Sequence, residues 1–309
     1  MSRGRRLWAA TDMPEIRKRW YHALDAAATR FSAELDPPGP DHAPHTAGAD
    51  ARLRSMTAKL AESIDDMRRE QQRLAEAELY WVSRDMVDVV VGASETLPEW
   101  TPALAVPAPA GLLCWAKPAG RIPFAAETVS WDATWWWTRP DGILQLQLAS
   151  RLTDRQDLLA PYGVSSPLWA TTTVVVNSAV PRTAEARNAD DASAYVSVIG
   201  AAWLLMGQPA VTQARTIHDS PATPEPAPQR FPRDVTIIEL RRPQGAPGPG
   251  DAGATGRHYR RRWWVEGHWR QQACGPGRSQ RKPVWIAPHV KGPADAPLSA
   301  TDRVHVLRR

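Results

Sequence analysis

Glu266, His268 and Arg270 stand at i, i+2 and i+4, a spacing that sends three side chains to one side of a β-strand. A carboxylate, an imidazole and a guanidinium held together are the parts of a metal-independent ribonuclease. Such a site needs a general base, a general acid and a cation beside the phosphate. His289 and Lys291, on a second strand-like segment, would add another acid and a phosphate clamp. A basic β segment also carries such a set with no catalysis at all, His268 then bridging a turn or packing on a tryptophan.

The same stretch offers a second chemistry. Between Arg257 and Lys291 there are nine Arg/Lys and one acidic residue, interleaved with tryptophan. Arg260, Arg261, Arg262, Arg270, Arg281, Lys282 and Lys291 are of the kind that meets phosphates, and Trp264, Trp269 and Trp285 of the kind that stacks on bases. Each neutralised phosphate would add to the salt dependence of binding. Period-2 sorting puts His258, Arg260, Arg262, Trp264, Glu266, His268 and Arg270 on one face, and Tyr259, Arg261, Trp263, Val265 and Trp269 on the other. Two other readings stay open: tryptophans filling a small core under arginine stems, or a surface for an acidic protein partner.

Other chemistries find less support. His258, His268, His289 and Cys274 match no common zinc spacing. Two cysteines, Cys114 and Cys274, make no disulfide framework. No phosphate-cradling glycine loop followed by Lys-Ser/Thr, no dinucleotide fingerprint and no serine elbow is present. The sequence therefore implies no metal and no cofactor. Its leading reading is non-catalytic binding of nucleic acid, DNA or RNA, with a ribonuclease of toxin-like kind as the alternative.

Placement of charge supports that order. The chain has 309 residues and a formal net charge of +5. Residues 230–309 hold sixteen Arg/Lys and six Asp/Glu, a balance of +10, which leaves −5 for residues 1–229. One polyanion-facing part on a mildly acidic body fits such asymmetry. Hydrophobic content of 43% supports a packed core. Fifteen tryptophans against 3 Phe and 5 Tyr make tryptophan its main aromatic. Residues 1–14 lack the apolar run of a signal peptide, and no stretch approaches the ~20 apolar residues of a membrane span. A cytoplasmic protein without membrane contact is expected.

Behind these residues the sequence sets out an α+β chain: an N-terminal helical hairpin, a central mixed α/β domain and a small antiparallel C-terminal β module. Ile16, Trp20, Leu24, Ala27, Phe31 and Leu35 recur at helical spacing over 14–35, and Leu53, Met56, Leu60, Ile64, Met67 and Leu74 over 51–79. The Pro-rich segment 36–50 joins them. These stripes bury each other, or meet a second copy of the chain through residues 14–79 in a structural or assembly role. Helices are further expected at 84–95 and 192–206. Strands are expected at Gly111–Lys117, Thr128–Thr138, Ile143–Arg151 and Thr171–Val176, with Pro140-Asp141-Gly142 as a hairpin turn. The expected divisions are 1–79, 80–217, a Pro-rich linker at 218–232, and a basic module at 233–309 that opens with the strand Asp234–Arg241.

The run Arg262-Trp263-Trp264-Val265-Glu266-Gly267-His268-Trp269-Arg270, then Gly275-Pro276-Gly277, then Trp285-Ile286-Ala287-Pro288-His289-Val290-Lys291-Gly292-Pro293, resembles a C-terminal module of uncharacterised proteins from actinobacteria, their phages and mobile elements. Tyr80-Trp81-Val82 with Asp85-Met86, Leu97-Pro98 and Pro109-Ala110-Gly111-Leu112-Leu113 resembles the middle part of the same proteins. Together these cover most of residues 80–309. The resemblance implies a bacterial, often mobile-element, setting and supplies no catalytic residues.

Overall fold

A computed structural model describes residues 8–35, 47–124, 127–152, 165–183, 192–218, 231–241, 260–293 and 296–299. The architecture is α+β. In chain order the elements are α1 (Met13–Leu35), α2 (Ala47–Glu76), β1 (Glu78–Val82), α3 (Arg84–Ser94), α4 (Pro102–Ala105), β2 (Ala110–Trp115), β3 (Gly120–Phe124), β4 (Glu127–Trp131), β5 (Ala133–Thr138), β6 (Ile143–Arg151), β7 (Leu168–Asn177), α5 (Ala192–Met206), β8 (Thr212–Ile217), β9 (Val235–Leu240), β10 (Trp263–Val265), β11 (His268–Cys274), β12 (Gln280–Ile286) and β13 (His289–Lys291). The chain divides into two compact units, one of residues 1–88, 101–180 and 214–239, the other of 89–100, 181–213 and 240–309. Among the described residues no helix is long and apolar enough to cross a membrane.

The first unit is built on a seven-stranded sheet of order β7-β6-β5-β2-β1-β9-β8. Strands β1, β2 and β9 run parallel, while β2-β5-β6-β7 alternate as an antiparallel meander. Helices α1 and α2 supply Met13, Ile16, Trp20 and Leu74 to a core shared with Leu79, Trp81, Leu112, Cys114, Trp135, Trp137 and Ile237. The Trp135-Trp136-Trp137 run places aromatics on both faces, and all three rings are buried. Trp135 and Trp137 stack at 4.0 Å. On the other face Trp136 stacks on Tyr80 and donates its indole N–H to the Ala108 carbonyl at 3.0 Å. Burial pushes the Cys114 thiol up to about 12, so it behaves as an apolar core residue.

Polar groups inside this unit are held locally. Arg17, fully buried on the apolar side of α1, donates to the carbonyls of Ala77 and Pro232 and lies over the Phe231 ring. Arg151 pairs with Asp132 and sits over Trp8 at 4.3 Å.

Four local expectations change. The strand at Asp234–Arg241, grouped by sequence with the basic module, is β9 and lies in the large sheet beside β1. Its Val-Thr-Ile-Ile run suits an interior parallel strand covered on both faces. The segment Glu78–Val82, whose first two residues fall in the helix expected at 51–79, is the interior strand β1, for the same reason. The single strand expected at Thr128–Thr138 is two. The chain breaks at Asp132, whose buried carboxylate accepts the Arg151 backbone N–H, and β4 turns away to pair with β3. Finally, Thr212–Ile217 forms the edge strand β8, which its polar sequence does not advertise. The linker expected at 218–232 lies outside the described residues from 219 to 230.

In the second unit, Trp100 fills the place beside α5. Its ring meets Trp203 edge-on at 6.4 Å and lies where a Cβ on Gly200 would be, 2.3 Å away. This unit also carries the C-terminal strands β10 to β13.

Candidate nucleic-acid interface

Strands β10 to β13 make one long antiparallel ribbon with a short interruption. Trp263, Trp264 and Val265 oppose Lys291, Val290 and His289. Glu266-Gly267 on one arm and Ala287-Pro288 on the other interrupt the strand ladder. Pairing then resumes without a shift, His268 opposite Ile286 and onward to Cys274 opposite Gln280. The arms close through Gly275-Pro276-Gly277-Arg278, where Gly275, Gly277 and Arg278 take positive φ, as the sequence turn signal implies. Pro283 is tolerated because a two-stranded ribbon has free edges.

One face of the β11–β12 part is anchored within its own unit. Trp269 and Trp285 are directly opposite and meet edge-on at 5.3 Å. The Trp269 indole donates to the Ala93 carbonyl at 2.7 Å, and the Trp285 backbone N–H donates to Gln208 Oε1 at 2.7 Å. Trp285 is 6% exposed. A Cβ on Gly267 would lie 2.4 Å from its ring, so this glycine is required by close approach. Two of the three tryptophans expected to stack on bases, Trp269 and Trp285, are therefore used in packing. Trp264, paired with Val290, is 55% exposed and keeps a free face.

Strand alternation puts the next row on the opposite face. His268, Arg270, Gln272, Gln280 and Lys282 in that row are all exposed. Arg270 donates to Gln272 Oε1 at 2.5 Å. Arg281 and Arg278 sit at the tip, where Arg281 donates to the Arg278 carbonyl. Arg278 was not singled out from sequence, although its place after Gly-Pro-Gly marks it as a turn residue and hence exposed. At the other end, Arg262 is half-buried and donates to the Ala296 carbonyl at 2.7 Å, a structural role. Arg260, Arg261 and Lys291 are exposed. The seven exposed cations Arg260, Arg261, Arg270, Arg278, Arg281, Lys282 and Lys291 form no ion pair with any described carboxylate.

The residues of the ribonuclease reading are partly dispersed. His268 opposes Ile286 and His289 opposes Val265, three register positions apart, or about 10 Å along the ribbon. Each Nδ1 lies 3.0 Å from the backbone carbonyl two residues before it, of Glu266 and Ala287. Glu266, in the interruption between β10 and β11, and Arg270, on β11, are exposed on either side of His268. His258 and Tyr259 lie outside the described residues. Among the described residues no group of three His, Cys, Asp or Glu is placed to hold a metal ion.

No family model matches the chain, and no curated protein matches it. Among solved structures, the crystal structure of AcrVA2 is similar over 90% of this chain and 98% of that chain, with 12% sequence identity and a TM-score of 0.42. Likeness at that level leaves fold and site to be argued from this chain's own residues.

Proposed function

We propose that the protein binds nucleic acid through the C-terminal ribbon, without catalysis, in a bacterial mobile-element or phage setting. The observation that carries the reading is the set of seven exposed Arg and Lys side chains that no described carboxylate neutralises. A cationic surface left open to solvent gains free energy by releasing counterions from a polyanion. The motif resemblance of the same ribbon supports the setting. The test is binding of the full chain to a labelled oligonucleotide across a salt series. Affinity should fall steeply and linearly on a log–log plot. No binding at about 50 mM salt, or affinity indifferent to salt, overturns the proposal.

A second reading, self-association through the N-terminal helices, is favoured by two residues of the α2 stripe. Leu53 is 55% and Met56 69% exposed, while Ile64 and Leu74 further along are buried. Mass measured across a concentration series, with Leu53→Glu and Met56→Glu together, separates a dimer that the substitutions dissolve from a chain that is monomeric throughout.

A further inference from the structure

The ribbon's geometry selects among nucleic acids, given the binding reading on which this inference rests. We infer that the outward row of β11–β12 enters the major groove of duplex DNA and reads base edges there. Two paired strands with side chains span about 10–12 Å, which matches the width of the B-form major groove, a groove known to admit a two-stranded ribbon. The seven residue pairs from His268–Ile286 to Cys274–Gln280 extend roughly 24 Å.

The chemistry of the row fits this use. Arg270 and Lys282 are the residue types that hydrogen-bond guanine O6 and N7, and Gln272 and Gln280 the types that bond adenine N6 and N7. All four are exposed. Arg270 and Gln272 share a hydrogen bond that orders both side chains on that face. The face behind them is fixed by Trp269, Trp285, Ala93 and Gln208, so the row is presented from a rigid backing. Arg278 at the tip and Arg260, Arg261 and Lys291 at the base are placed beyond the two ends of the row, where a ribbon lying in a groove meets the flanking phosphates.

The alternatives lack material. A single-strand site stacks successive bases on several aromatic side chains. Here Trp269 and Trp285 are taken up in packing, and Trp264 alone among the ribbon's tryptophans is exposed. An A-form RNA duplex has a major groove too deep and narrow for a ribbon to read.

The experiment measures anisotropy of the full chain at one fixed salt concentration with a DNA duplex pool, an RNA duplex of the same length, and single strands of each. The expected result is at least tenfold tighter binding to the DNA duplex. Bulky substituents on pyrimidine C5, which fill the major groove, should weaken that binding at least tenfold, and a minor-groove polyamide should leave it unchanged. RNA duplex or single strands bound as tightly as the DNA duplex, or binding indifferent to the C5 substituents, overturns the groove inference and leaves the nucleic-acid reading standing. Absence of binding to all four overturns both.

Discussion

The side-chain oxygen of Gln208 accepts the backbone N–H of Trp285 at 2.7 Å, across 77 positions of sequence. Gln208 lies just past α5, is buried, and also donates to the Leu204 carbonyl. One amide thus ties the end of a helix to the middle of the ribbon. Gln208→Ala leaves a buried N–H without an acceptor, an expected loss of about 1–3 kcal/mol in urea unfolding. Hydrogen exchange should rise at the Trp285 amide first, and an unchanged exchange rate there would remove the amide's structural role.

Gly267 is the only residue type its position accepts. An added Cβ meets the Trp285 ring at 2.4 Å, and that ring also meets Trp269 edge-on. Gly267→Ala is expected to cost about 1–3 kcal/mol through overpacking. The check is the unfolding midpoint, with Gly277→Ala as the comparison for strain at positive φ, where an added Cβ meets nothing within 4 Å.

Glu70, on α2, is half-buried and hydrogen-bonded with Gln147 of β6. Burial raises its carboxyl from 4.5 to about 7, with Asp66 adding to the rise and the Gln147 bond opposing it. The native state therefore holds this proton more tightly than the unfolded chain. Its contribution to stability is fully present below about pH 4.5 and is lost as pH climbs through about 7. Glu70→Gln should lack that loss and exceed the parent at pH 8 by on the order of 1–3 kcal/mol. The check is the difference between the two chains in urea unfolding from pH 4.5 to 8. A difference that does not grow with pH sinks the assignment.

Arg270 and Lys282 occupy neighbouring rungs of the outward row and lack carboxylate partners among the described residues. For each contact made to a phosphate, substitution by Ala should lower the slope of log K against log salt by about 1. A contact made to a base should instead relax the preference at one position of the bound sequence and leave the slope nearly unchanged. Unaltered affinity in the double variant would exclude the row from the interface.

Long amphipathic patterns were the most legible part of the sequence. The stripe from Ile16 to Leu35 is α1, and Ile143–Arg151 and Ala192–Met206 form where alternation and helical spacing put them. Short apolar runs were less legible: Leu79-Tyr80-Trp81-Val82 shows no period when both faces of a strand are covered, and Val235-Thr236-Ile237-Ile238 reads as a strand without revealing that it joins the large sheet. Composition identified the ribbon's cations, and most of them are exposed. It could not sort its tryptophans. Period-2 alternation does separate Trp264, on the side of His268 and Arg270, from Trp269, but does not show that the Trp269 indole N–H meets the Ala93 carbonyl, 176 positions away.

The interruption of the ribbon's ladder has an evolutionary corollary. Because Glu266-Gly267 and Ala287-Pro288 are equal in length, the strands beyond them stay in step. Dropping a single residue from either arm would exchange the inner and outer rows on that arm, turning Arg270 inward and Trp269 outward on one arm, or Lys282 inward and Trp285 outward on the other. Viable descendants can lengthen or shorten this appendage only by matched changes on both arms, so gaps in related sequences here should come in compensating pairs.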